Sequence, residues 1–491
     1  MTFGKFSPVL MKGLRRLVCL LLLYPLLAMP GNSVPAGATA PVRPNILFVL
    51  VDDLEYGVLQ NFPNITGQLV QQGASFDHLF VTNSWCCPSR ASILRSQYVH
   101  SHTVWTNTAP EGGFDRFHTA GLERSTIGTW MKDAGYRTAM MGKYLNHYPG
   151  KTATADYVPP GWDEWYVPVK RLYEEYDYTL NENGDVEEYG WEEDDYLTDV
   201  LTREAEDFVT SDDEPFFLYL APVAPHNPAN PARRHVSAFP GVKAPRPPSF
   251  NQQNVEEEPA WLRGRPLLDP EAEARVDERY GRRMRAMLGV DDMVATLVEA
   301  LRRTGKLENT YLFFASDNGF HLGTHRLQQG KTTPFEEAVK VPLVVRGPGV
   351  KPGSTIPAMA QTVDLAPTFA ELGGARTPDF AEGRSLVPLL RGLTPTPWRR
   401  NALIEFTRPA NKRSARQTPV PAYAALRTET HTYVRYETGE IQLYDLTQDP
   451  YQLHNLARTA PADLLANLQA RLDMMRACSG ATCRTADVSG G

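Results

Sequence analysis

Cysteine is scarce in this chain of 491 residues: Cys19, Cys86, Cys87, Cys478 and Cys483 are the whole complement. A zinc site needs about four nitrogen or sulfur ligands at workable spacing, and none can be assembled here. A basic surplus is missing too. Fifty Lys and Arg face 57 Asp and Glu, a formal net charge of -7, which argues against a nucleic-acid partner. A local cationic pocket for an anionic substrate is not excluded. Internal repeats and low-complexity segments are absent. The apolar run at 17–27 is interrupted by Pro25 and falls short of the roughly 20 residues that span a bilayer, so no stable membrane anchor is expected.

What is there begins with a targeting pattern. Lys5, Lys12, Arg15 and Arg16 precede that apolar run, and small residues follow through Ala40. Positive, apolar, then small is the order of a secretory signal. The reading is export with cleavage near residues 36–40, an uncleaved anchor being the alternative. In an oxidising compartment Cys478 and Cys483 suit a small-loop disulfide.

Residues 45–51 (Asn-Ile-Leu-Phe-Val-Leu-Val) form a continuous apolar run, the pattern of a strand buried on both faces. Runs at 136–141, 215–220, 310–316 and 341–345 look alike. Between them Ser125 is placed to cap a helix ending at Gly135. Val290, Met293, Val294, Leu297, Val298 and Leu301 have helical spacing before a stop at Gly305. Strands alternating with helices predict an α/β fold, a mostly parallel sheet sandwiched by helices. Ligands in such folds gather beyond the carboxyl ends of the strands, where Asp52, Asp53, Asp317 and Asn318 fall. Residues 225–270 read as a long surface excursion. From about 396 the pattern changes to antiparallel strands at 422–427, 431–436 and 441–444. A last helix over 462–477 follows, with Leu464, Leu465, Leu468, Leu472 and Met475 on one face. The expected organisation is a signal at 1–40, a catalytic domain at 41–395 and a C-terminal subdomain at 396–491.

The most informative segment is Cys86-Cys87-Pro88-Ser89-Arg90. Pro88 suits the first turn of a helix, and a cysteine just ahead of a helix sits where an anion is favoured. A lone cysteine there would more simply be a buried turn residue. Asp52-Asp53 and Asp317-Asn318-Gly319 would each pass as ordinary loop or turn sequence. Together they offer three carboxylates and an amide oxygen, a hard-oxygen set suited to calcium or magnesium.

Cys-x-Pro-Ser-Arg resembles the signature of the formylglycine-dependent (type I) sulfatases, although the continuation here is Leu94-Arg95-Ser96 where the familiar pattern has Leu-Thr-Gly. The resemblance implies an alkaline-phosphatase-like fold and oxidation of Cys86 to formylglycine by a formylglycine-generating enzyme. It also implies a calcium ion, or magnesium, on Asp52, Asp53, Asp317 and Asn318. Lys143, in Gly142-Lys143-Tyr144-Leu145-Asn146, and Lys331, in Gly330-Lys331, match the two sulfate-contacting lysines. His226, in Ala224-Pro225-His226-Asn227-Pro228, matches the general acid, and Arg90 would steady the hydrated aldehyde. His147, His321 and His325 are candidates for the substrate pocket. Gly161-Trp162 and Tyr196-Leu197-Thr198-Asp199 also resemble the glucosamine-6-sulfatase branch. The implied activity is hydrolysis of sulfate monoesters on sulfated amino sugars, glycosaminoglycan fragments or aryl sulfates. The alternatives are a phosphonate or phosphate ester hydrolase of the same superfamily, and a non-catalytic carbohydrate-binding homologue.

Overall fold

The apolar run Asn45–Val51 is a strand with all seven residues buried. Side chains alternate across a strand, and here both faces are covered. Ile46, Phe48 and Leu50 join one core, with Phe217, Phe313 and Phe369. Leu47, Val49 and Val51 join a second, with Leu201, Met287 and Val294. The computed structural model from which these contacts come describes residues 43–410 and 420–490. The segment read as a signal lies outside them. Among the described residues no helix is long and apolar enough to cross a membrane.

Asn45–Val51 is central in a ten-stranded sheet. The order is Ser354–Ile356, Ala74–Phe76, Leu343–Arg346, Thr310–Ser316, Asn45–Val51, Phe216–Ala221, Arg137–Gly142, Glu164–Lys170, Thr179–Glu182, Asp185–Glu188. Its five middle strands, from Thr310–Ser316 to Glu164–Lys170, run parallel. Antiparallel pairing appears towards the edges, where Leu343–Arg346 meets Thr310–Ser316 and a hairpin closes the far side. That hairpin turns on Asn183-Gly184, both at positive φ, the geometry of a two-residue turn matched to strand twist.

Three elements differ from the sequence expectation. The run at 341–345 is two strands: Lys340–Val341 pairs with Leu79–Phe80, and Leu343–Arg346 pairs in the large sheet. Pro342 lies between them and has no N–H to give a ladder. The helix over 290–301 begins much earlier, running Pro270–Arg303. Asp269 accepts from the Ala272 N–H at 2.7 Å and Pro270 opens the first turn. The helix Ile127–Asp133 is capped by Thr126, in a reciprocal pair with Thr129, while Ser125 instead accepts from Trp130 Nε1.

Residues from Arg43 onward cluster as one compact unit. Within it Ala402–Phe406, Tyr423–Arg427, His431–Tyr436 and Ile441–Asp445 form a separate antiparallel sheet. The helix Ala462–Ala477 packs on that sheet through Leu468, Leu472 and Met475, with Leu464 and Leu465 at the margin. Cys478 and Cys483 are joined by a disulfide.

Candidate active site

Val51 and Ser316 are the last paired residues of two adjacent parallel strands. The chain continues from both as Asp52-Asp53 and Asp317-Asn318, so four polar residues converge beyond the carboxyl ends of two central strands. All four are at most 1% exposed. The Asp53 N–H donates to Asp317 Oδ1 at 3.1 Å, and the Leu54 N–H donates to Ser316 Oγ at 2.8 Å. Asp53 sits at φ 69°, in the left-handed region. Asn318 Nδ2 donates to Asp53 Oδ1 at 2.6 Å. The guanidinium of Arg283, on the Pro270–Arg303 helix, donates to the carbonyls of Asp53 and Pro225 and pairs with Glu55. It ties the acidic turn to the loop that carries His226.

Cys86 opens the ten-residue helix Cys86–Arg95, every residue of which is buried. Its Sγ lies 3.4 Å from Asp52 Oδ1, 3.9 Å from Asp53 Oδ1 and 2.6 Å from Lys331 Nζ. Ligand atoms of Asp52, Asp53, Cys86 and Asp317 all lie within 4.8 Å of one another. Arg90, one turn along the helix, donates from Nε to Asp317 Oδ2 at 2.7 Å and from Nη1 to Lys143 O at 2.6 Å. Its Nη2 is buried without a protein partner. The helix ends on Ser96 in the left-handed region at φ 55°, where the familiar signature has glycine. Ser96 Oγ donates to Val363 O at 2.7 Å and accepts from the Gly383 N–H at 3.1 Å, and these bonds hold a conformation that side chains rarely adopt.

Lys143 follows the strand Arg137–Gly142. It is fully buried, its Nζ 2.6 Å from Asp52 Oδ2 and 5.1 Å from the centre of the Tyr173 ring. Lys331 pairs with Asp53 and comes within 3.5 Å of Asn318 Oδ1. Burial is the largest single influence on Asp52 and Asp53 and opposes their ionisation, but the nearby cations together outweigh it, Lys143 foremost at the first and Lys331 at the second, so both carboxyls are held low. Burial and Asp52 instead push Asp317 up, and burial and Asp52 push the Cys86 thiol up. The Lys331 ammonium already stands among oxygens of Asp53 and Asn318. The donor set is oxygen-rich and carries three carboxylates. Both features fit a hard divalent cation.

His226 comes to the same place. Its Nε2 lies 3.7 Å from Asp53 Oδ2, and its ring stacks on Tyr173 at 4.0 Å between centroids. The other candidate histidines do not join it. His321 is fully buried between the hydroxyls of Thr324 and Thr333, and burial pushes its pKa down to about 3. His325 is fully buried, stacked on Phe335 at 3.7 Å and bonded to Gln252. His147 is exposed and lines a different cavity, beside Tyr148 and Lys170. Two of these pocket candidates are thus packing residues and the third faces away. Tyr173 and Arg283 also belong to the site, and nothing in the sequence marks them. Tyr173 lies in an irregular segment and Arg283 in a basic stretch of helix, with no local motif to mark either.

Above the cluster opens a cavity of about 580 Å³, lined by Asp53, His226 and Lys331 and also by Trp85, Arg265 and Gln329. That volume lies within the roughly 300–1,000 Å³ of small-molecule sites. The sulfatase family model matches residues 44–375, more than half of the chain.

The chain belongs to the sulfatase family.

A second model, for the C-terminal region of N-sulphoglucosamine sulphohydrolase, matches residues 323–478 of this sulfatase. It is 34% identical to human N-acetylglucosamine-6-sulfatase, over 91% of this chain and 87% of that one. It is 27% identical to the N-acetylglucosamine-6-O-sulfatase of Bacteroides thetaiotaomicron, over 84% and 82%. Among solved structures, one in complex with its substrate D-glucosamine-2-N,6-O-disulfate superposes with a TM-score of 0.76 at 24% identity, covering 90% of this chain and 98% of that one. The fold is therefore the alkaline-phosphatase-like one, and the sulfatase is a sulfuric ester hydrolase.

Proposed function

We propose that this sulfatase cleaves sulfate monoesters of sulfated amino sugars, free or within glycosaminoglycan fragments, and accepts aryl sulfates. The position of Cys86 carries the reading. Its sulfur lies 3.4 Å from Asp52 and 2.6 Å from Lys331 in a buried oxygen cluster, and Asp53 and Lys331 of that cluster line a saccharide-sized cavity. The two relatives named for N-acetylglucosamine 6-sulfate support the amino-sugar part.

In this reading Cys86 is oxidised to formylglycine during export, and the modified residue supplies a hydrated aldehyde as oxygen nucleophile. Asp52, Asp53, Asp317 and Asn318 hold calcium, with magnesium the alternative, and the ion supplies positive charge for the sulfate oxygens. The chain's own residues do the rest. Lys143 and Lys331 orient the sulfate group and offset its negative charge, an effect that is large in a buried site. Arg90, fixed by Asp317 and the Lys143 carbonyl, offers its free Nη2 to an oxygen at position 86. His226 passes a proton from Nε2 to the departing alcohol oxygen.

Mass measurement on the peptide spanning 82–90 tests the nucleophile, since conversion exchanges the sulfur and two hydrogens of the cysteine for one oxygen. Cys86→Ala should abolish turnover with the melting transition kept. An unmodified peptide in an active preparation, or an active Cys86→Ala protein, ends the proposal. Rates on an aryl sulfate against an aryl phosphonate ester test the reaction class, and a preference for the phosphonate would overturn it.

A further inference from the structure

Arg265 lines the same cavity as Lys331 and His226, yet its guanidinium has no hydrogen bond or ion pair among the described residues. Its Nε is enclosed without a partner. The Trp261 ring stands 5.7 Å from its Cζ. Among the described residues that line the cavity Asp53 is the one carboxylate, and Lys331 already holds it. With no carboxylate to offset it, burial pushes the Arg265 pKa down.

The backbone beneath this side chain is firmly held. Arg326 Nη1 donates to Arg265 O at 2.7 Å, while Nε and Nη2 of the same guanidinium donate to Gln252 O and Gln253 O, each at 2.7 Å. The Arg265 N–H donates to Leu262 O at 3.0 Å. A half-buried arginine without a counter-ion, fixed at its base and facing a cavity, is prepared for an anion from outside the chain. Guanidinium forms paired bonds with the planar oxygens of carboxylate and with sulfate-type groups.

We propose that Arg265 is a specificity-determining residue that binds a second anionic group of the substrate, a sulfate, sulfamate or carboxylate, while the ester to be cleaved lies at Lys331. This rests on the sulfatase reading above and names its substrate class: saccharides bearing two negative charges. The second charge has two sources, an N-linked sulfate on the same sugar or the carboxylate of an adjoining uronate.

The test is calorimetric binding to full-length protein carrying Cys86→Ala, so that no ligand is consumed. The probes are N-acetylglucosamine 6-sulfate, glucosamine-2-N,6-O-disulfate and a uronate-linked disaccharide with a single 6-sulfate. A doubly anionic probe should bind about tenfold or more tightly than the monosulfate, as for a charge-assisted pair. Adding Arg265→Gln should remove most of that advantage, and Arg265→Lys should keep part of it. The probe that loses its advantage identifies the source. An equal advantage with and without Arg265→Gln, or none at the outset, overturns the assignment. Hydrolysis by the unsubstituted enzyme is measured beside it. Sulfate release without any Arg265 effect on binding sinks this inference alone. An Arg265 effect on binding without sulfate release sinks the catalytic reading alone.

Discussion

His226 Nδ1 lies 2.7 Å from Asn227 O. A carbonyl only accepts, so Nδ1 carries hydrogen and Nε2 is the atom turned to Asp53. Stacking on Tyr173 fixes the ring plane. A proton delivered from Nε2 matters most when the leaving alcohol is a poor one. His226→Ala should therefore lower turnover of a sugar sulfate by about 10²–10⁴-fold and slow an activated aryl sulfate far less. Equal slowing of the two substrates would remove the acid role. The local motif Ala224-Pro225-His226-Asn227-Pro228 made this residue legible. His321 and His325, close in sequence to the acidic turn, misled for a physical reason. Proximity along the chain does not fix the side on which an imidazole packs, and theirs pack against Thr333, Gln252 and Phe335.

At the scale of elements, the parallel strands were readable because burial on both faces leaves unbroken apolar runs. The strands Ala74–Phe76, Leu79–Phe80 and Ser354–Ile356 were not, since two or three residues carry no period. Contacts between distant elements left no trace in either pattern. Arg283 reaches across 230 positions to Asp53 and 58 to Pro225, and only the fold brings them together. This link gives a prediction. Arg283→Met keeps most of the side-chain volume but leaves two carbonyls and the Glu55 carboxylate without their donor. Stability should fall by about 3–5 kcal/mol, as for breaking a buried charged pair, and the calcium concentration needed for the proposed activity should rise. Urea unfolding and a calcium titration read the two effects. An unchanged calcium dependence would show that the clamp does not position the acidic turn.

For the molecule as a whole, two buried imidazoles set an acid limit. His102 accepts the Val104 N–H at Nδ1 and meets Ser92 Oγ through Nε2, and His321 lies between two threonine hydroxyls. Burial pushes both pKa values from 6.5 down to about 3. Below pH 6.5 the unfolded chain takes up these protons and the folded one does not. Their contribution to stability is therefore complete above pH 6.5 and is lost as the pH falls toward 3. Each costs about 1.4 kcal/mol per pH unit within that window. His102→Gln should flatten the dependence of unfolding free energy on pH between 6.5 and 4 by about one proton. An unaltered slope would mean that His102 is charged in the fold.

The C-terminal sheet belongs to this whole as much as the catalytic layers do. Asn83 Nδ2 donates to Glu405 O, Ser84 Oγ meets the Tyr423 hydroxyl, and the Glu405 N–H donates to Thr82 O. The stretch leading into Cys86 is thus sewn to a sheet built from residues hundreds of positions later, and Cys86 itself has no accessible surface. On the proposed maturation, a converting enzyme must reach the Cys86 side chain, and the finished molecule no longer exposes it. On that proposal timing matters, because oxidation has to come before the last hundred residues arrive and close the door.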